Sequence, residues 1–201
     1  MPSIGNDIVD LRLIDADRSR QARFYSKILA PDELDLYEPL GAFLAFEHFV
    51  WLCWTIKEAS YKYSKRLHPQ LLFSPPRTVI LDLSVCQNAD DGNHYEGTCS
   101  NGFSTVYFQS SHTATYIHTI VNVATDLSQI IAKAFIVDPT KASAQTHAQL
   151  LQQAAQLYPG KAIRIEKNAD NVPSLMVDAQ THPISIAHHG QYGSFAIANN
   201  R

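Results

Sequence analysis

The chain of 201 residues is 45% hydrophobic and 17% charged, enough apolar material for a sizeable core and too little charge for a disordered segment. Its 16 basic and 19 acidic residues leave a net charge of −3, which gives no footprint for nucleic acid. Three cysteines (Cys53, Cys86, Cys99) lack C-x-x-C spacing, so neither a disulfide framework nor a zinc site is indicated, and no apolar run of about 18 residues marks a membrane span. The N-terminal "MPSIGNDIVD" lacks the charged and apolar regions of a secretory signal, and a cytoplasmic location is expected.

In chain order, "SIGNDIVDL" is short and β-branched and predicts a first strand carrying Asp7. Residues 18–29 have helical apolar spacing at Phe24, Ile28 and Leu29, with Asp15 or Asp17 as N-cap and Pro31 as stop. A second short helix is expected from Pro31. From 41 to 66 the chain has no proline and is apolar nearly all round until Lys57, the pattern of a central buried helix. Segments 77–86, 94–100, 102–110 and 113–124 read as strands of an antiparallel meander, with a hairpin at Asn101-Gly102. Residues 127–140 fit helix or strand equally. Residues 141–158 predict a helix stopped by Pro159-Gly160, followed by short strands in "KAIRIEKN", "PSLMVD", "PISIAH" and "GSFAIAN". A helix and a meander thus occur twice. The expected architecture is α+β, with two pseudo-symmetric lobes over 1–126 and 127–201, each a helix on a small antiparallel sheet.

The residues that invite chemistry are few. Glu58 and Lys62 lie four apart on the central helix and share a face, which by itself reads first as an intrahelical salt bridge. Asp7 sits between isoleucines in a strand, where aspartate is disfavoured. It either faces water at a strand end or joins Glu58 in a hard oxygen site of the kind that holds Mg²⁺. Asp10, three residues on, points to the opposite face and ranks behind Asp7. Only one of the adjacent His188 and His189 can point into any cleft. His112 and His118 are expected on one strand face.

The stretches "GNDIVDL" (5–11), "RFYSKILAPDEL" (23–34), "FVWLCWTIKEASYK" (49–62) and "VPSLMVDAQTHPISIAHHGQYGSFAIAN" (172–199) together resemble the 4'-phosphopantetheinyl transferase superfamily, in particular its holo-acyl-carrier-protein synthases. The resemblance covers about half the chain. It implies the family's fold and the transfer of the phosphopantetheine arm of coenzyme A to a serine of an acyl or peptidyl carrier protein, in fatty acid, polyketide or peptide biosynthesis. Carried over, it makes Asp7 and Glu58 the magnesium ligands and Lys62 a phosphate contact. Ser185 and His188 fall on the family's Ser-x-Ser-His strand beside the coenzyme A phosphates, and Lys57 is a further, weaker phosphate candidate. Asp7, Glu58 and Lys62 form the implied catalytic set, with Glu58 as base. This chain departs from the family's pattern at Asn6, Val9, Asp10 and Ala187. The smaller subfamily is trimeric, with sites between subunits. Two lobes in one chain favour a monomer here, with coenzyme A in the cleft between them. Lys161, Arg164 and Lys167 are candidates for the 3'-phosphate end. The basic segment with Arg18, Arg20 and Arg23 is the expected carrier surface. The competing reading is a catalytically idle module that binds coenzyme A or a carrier protein.

Overall fold

The computed structural model describes residues 3–88 and 92–198. In chain order the elements are β1 (Gly5–Asp10), α1 (Ala16–Ser19), α2 (Ala22–Tyr25), a 3₁₀ run (Pro31–Leu40) and the long α3 (Phe46–Leu67). Then come β2 (Val79–Asn88), β3 (Gly92–Ser100), β4 (Thr105–His112), β5 (Tyr116–Asn122), β6 (Ile130–Ile136), α4 (Ala142–Leu157), β7 (Ile163–Lys167), β8 (Pro173–Val177), β9 (Gln180–His189) and β10 (Tyr192–Ala198).

The strands form two five-stranded antiparallel sheets, ordered β1-β5-β4-β3-β2 and β6-β10-β9-β8-β7. The two orders are the same: in each, the first strand crosses over through a helix and pairs with the last strand of the meander that follows. The fold is therefore α+β with two pseudo-symmetric lobes. Helix α3 lies on the first sheet, burying Phe49, Leu52, Ile56 and Ala59 with Tyr95, Phe108, Ile117 and Val121. Helix α4 buries Leu150 and Ala154 against Leu175, Ile184, Phe195 and Ile197 of the second. Both helices bury one apolar stripe on a sheet face, which is where their stability comes from.

Strand β1 touches both lobes. One of its edges pairs with β5. At the other edge its amides meet side chains of β9 instead of a strand: Asn6 N donates to Ser185 Oγ at 2.9 Å and Asp10 N to His189 Nδ1 at 3.0 Å. Among the described residues no strand of one sheet pairs with a strand of the other.

Gly5 explains how closely α3 approaches. A Cβ there would lie 1.9 Å from the carbonyl oxygen of Ala59. That oxygen belongs to the backbone of α3 and has no room to move. Gly5→Ala should therefore force β1 and α3 apart, lowering stability by about 3 kcal/mol. Chemical denaturation checks this, and an unchanged midpoint would mean that α3 can shift freely.

Several local expectations need correction. Residues 18–29 do not form one helix. Asp15 caps the short α1 through Arg18 N, and the chain breaks at Arg20–Gln21 before α2. The residues from Pro31 form a 3₁₀ run containing Pro39, which cannot continue an α-helix. The ambiguous stretch 127–140 contains β6, whose Ile131 and Phe135 stand opposite Ile197 and Gly193 of β10. His112 and His118 lie on different strands and opposite faces: His112 meets His48 of α3, and His118 meets Asn6.

Candidate functional site

In β1, Asp7 stands opposite Thr119, and Asn6 and Ile8 opposite Ile120 and His118. The pleat turns Asp7 toward α3 and turns Asn6 and Asp10 toward the second lobe. On α3, Glu58 and Lys62 follow one another by a turn on the face that Asp7 meets. Lys62 Nζ lies 2.8 Å from Asp7 Oδ1, 3.2 Å from the Asn6 carbonyl and 3.9 Å from Glu58 Oε1. Two carboxylates thus share one ammonium.

The environment holds both acids under tension. Burial raises the Asp7 carboxyl above the usual carboxylate range, and the opposing Lys62 charge and hydrogen bond do not cancel it. Burial raises Glu58 too, with Lys62 pulling it down and Asp7 pushing it up. With both acids ionised and one lysine between them, the cluster carries one net negative charge. Hard oxygen donors with an unbalanced negative charge fit Mg²⁺, which keeps several waters and takes few protein ligands. Among the described residues no third histidine, cysteine or acid joins them. Behind the site, burial and Lys62 hold His118 down to about 4, so it stays neutral and adds no charge there.

The other predicted residues are placed unequally. Ser185 lies on the face of β9 turned to β1. Its hydroxyl oxygen accepts from Asn6 N, which leaves its proton free for a ligand. It also lines a cleft of about 230 Å³ between the lobes, together with Lys62, Lys65 and Arg66. His188 is not brought to the site. It is exposed, on the β9 face shared with Ile184 and Ile186 and opposite Gly193, which abuts α4. His189 is the histidine that faces β1. Lys57 is likewise removed from the phosphate candidates. It is fully buried, with Nζ 2.6 Å from Glu33 Oε2 and 2.7 Å from the Ile28 carbonyl. Lys161 and Arg164 are spent on exposed ion pairs with Asp178 and Glu166, and Lys167 is exposed beside them in β7. Arg20 holds Glu47 at 2.6 Å, which leaves Arg18 and Arg23 as the freer charges of that segment.

The sequence reading missed three groups. Glu33 collects Lys57 and the amides of Ala30 and Ile80 in one buried hub. An acid after proline reads as an exposed helix start, so no sequence signal marks it. Asn6 donates Nδ2 to Ser194 Oγ across the lobes at 2.7 Å, while its Oδ1 is buried with no partner among the described residues. Its placement among isoleucines was the available clue. His189 is the third, and strand parity relative to Ser185 identifies it.

His189→Ala should leave the Asp10 amide unpaired and lower stability by about 1–3 kcal/mol. His188→Ala, at an exposed position, should stay within about 0.5 kcal/mol. Denaturation of the two variants side by side decides this, and equal effects would show that the strand faces are misassigned.

A family model, that of the 4'-phosphopantetheinyl transferase superfamily, matches residues 3–121, more than half of the chain. The match includes Asp7, Glu58 and Lys62. No curated protein matches the chain.

Proposed function

The chain belongs to the 4'-phosphopantetheinyl transferase superfamily, and from that premise we propose that it transfers the 4'-phosphopantetheine arm of coenzyme A to a serine of an apo acyl or peptidyl carrier protein, with Mg²⁺ as cofactor. The observation that supports this reading best is the convergence of Asp7 and Glu58 on Lys62, where the cleft between the lobes (1–126 and 127–201) begins.

The chemistry follows from the residues. Transfer of this kind asks for positioning and charge neutralisation more than for covalent help. Asp7 and Glu58 would hold Mg²⁺, and the ion would supply positive charge to the pyrophosphate of the donor. Lys62 adds a second positive charge from the same helix, and the Ser185 hydroxyl has a proton to offer a phosphate oxygen. The carrier serine oxygen attacks the phosphorus that bears the pantetheine arm. The bond from that phosphorus to the adenosine bisphosphate breaks, and the serine proton passes to Glu58. Glu58 suits this role better than Asp7, because Lys62 engages Asp7 at 2.8 Å and Glu58 only at 3.9 Å. Arg18 and Arg23, near the start of α3, give an acidic carrier a positive face to meet. Both walls of the cleft come from one chain, so the reading needs a monomer only.

The test is the mass of an apo carrier protein after incubation with this protein, coenzyme A and Mg²⁺. A gain of one phosphopantetheine supports the reading. Coenzyme A binding by calorimetry with no gain in carrier mass would replace it with the idle binding module.

A further inference from the structure

Within a sheet, the ladder of backbone hydrogen bonds fixes the register of each strand to the residue. Between the two lobes there is no such ladder, since among the described residues no strand of one sheet pairs with a strand of the other. The offset of the second lobe along β1 therefore depends on point contacts. Two of those that join β1 to the second lobe belong to one residue, Asn6. Its N donates to Ser185 Oγ of β9 at 2.9 Å, and its Nδ2 donates to Ser194 Oγ of β10 at 2.7 Å. Its carbonyl accepts from Lys62 Nζ of α3 at 3.2 Å. Asn6 thus touches both walls of the candidate site, Ser185 on one side and Lys62 on the other.

The side chain is a poor choice for stability alone. Asn6 is fully buried, and its Oδ1 has no partner among the described residues. A buried acceptor left unpaired costs free energy, and an apolar side chain of similar size would fill the space without that penalty. Such local violations are expected where a residue serves the site. The surroundings are shaped to the contact. Ser194, itself fully buried, stands opposite Ala187 of β9 and Ala134 of β6, a row of small side chains that lets β1 come close. A hydrogen bond of 2.7 Å is directional and holds one offset, whereas an apolar contact on the same row tolerates a slide along the strand.

We propose that the Asn6 side chain is a positioning device: its bond to Ser194 sets the offset of the second lobe along β1, and with it the separation of Ser185 from Lys62. The inference rests on the proposed function for the identity of the donor that these two residues meet. Asn6 itself touches no substrate.

The test uses the full chain with Mg²⁺. Coenzyme A affinity is measured by calorimetry, and KM and kcat by the carrier mass assay. The double variant Asn6→Val, Ser194→Ala replaces both polar partners by apolar groups, which should leave the melting temperature within about 4 °C of wild type. Coenzyme A should nevertheless bind it about tenfold more weakly. KM should rise by the same factor and kcat should stay within about threefold, because a displaced wall weakens ground state and transition state alike. Ser194→Ala alone should move KM in the same direction, and it decides the matter if the double variant does not fold. Tyr192→Phe is the control. It removes another bond between the lobes, from Tyr192 Oη to Thr115 Oγ1 at 2.7 Å, and should bind coenzyme A as wild type does. Wild-type affinity in the double variant overturns the proposal. An equal loss in Tyr192→Phe does so as well, since the effect would then be a general loosening of the lobes. Weaker coenzyme A binding in the double variant, with no transfer by wild type, leaves this inference standing and removes the transferase reading. Transfer by wild type, with unchanged KM in the double variant, keeps the transferase reading and removes this inference. A wild type that does not bind coenzyme A removes both.

Discussion

Asp7→Asn and Glu58→Gln are each expected to cut carrier modification on the order of 10³-fold, while Asp7→Asn raises the melting temperature measured in EDTA. On the proposed transferase reading, the loss of activity follows from removing a magnesium ligand or the group that takes the serine proton, and general-base effects alone reach about 10²–10⁴-fold. The gain in stability follows from burial. The Asp7 side chain is only 10% exposed, and its pKa is raised because desolvation outweighs Lys62. The charged form is thus a net cost to the fold, and the neutral amide relieves it. Lys62 can tolerate the change because its side chain is 26% exposed and keeps the Asn6 carbonyl and Glu58. Opposed changes in activity and stability are what a functional site produces; a structural ion pair loses stability when one partner is neutralised. A clear drop in the melting temperature of Asp7→Asn would recast Asp7–Lys62 as a structural pair. Normal turnover in either variant would mean that the site lies elsewhere.

Lys57→Met carries the largest expected loss of stability, about 3–5 kcal/mol. The Lys57–Glu33 pair, at 2.6 Å, has its two side chains 0% and 1% exposed. Removing the lysine strands an ionised Glu33 in the core, although the Ala30 and Ile80 amides still donate to it. For a chain of this size the loss corresponds to a melting temperature lower by roughly 10 °C. The double variant Lys57→Met, Glu33→Gln removes both charges and keeps an amide oxygen as acceptor, and it should recover most of the loss. Thermal melts of the three proteins make the comparison. If Lys57→Met instead raised the KM for coenzyme A and left the melt unchanged, Lys57 would be a phosphate contact after all.

Much of the fold was legible because its signals are local. The uninterrupted apolar run before Lys57, the β-branched meander and the Asn101-Gly102 turn each specify their element with little help from the rest of the chain. β6 was ambiguous because seven residues rich in isoleucine and alanine fit either state, and only pairing with β10 decides between them. The site was legible as far as helical spacing and strand parity reach. Glu58 and Lys62 had to share a face, and Asp7 had to oppose Asp10. For the histidine pair, motif position named His188, whereas strand parity from Ser185 puts His189, four residues on, on the face turned to β1. Lys57 and Lys65 look alike in sequence, and only burial separates a core hub from a cleft cation.

The way β1 is held orders the steps by which the chain folds. Its inner edge waits for β5, and its outer amides wait for Ser185 and His189, each 179 positions further along the chain. Contacts of such sequence separation close late and slowly, since the loop entropy is lost before the contact returns anything. During synthesis the strand carrying Asp7 emerges well before the β9 side chains that hold its outer edge. Asp7 can meet α3 and β5 early, but the cleft is complete only after β9 has been made, so the two walls of the candidate site assemble in separate steps.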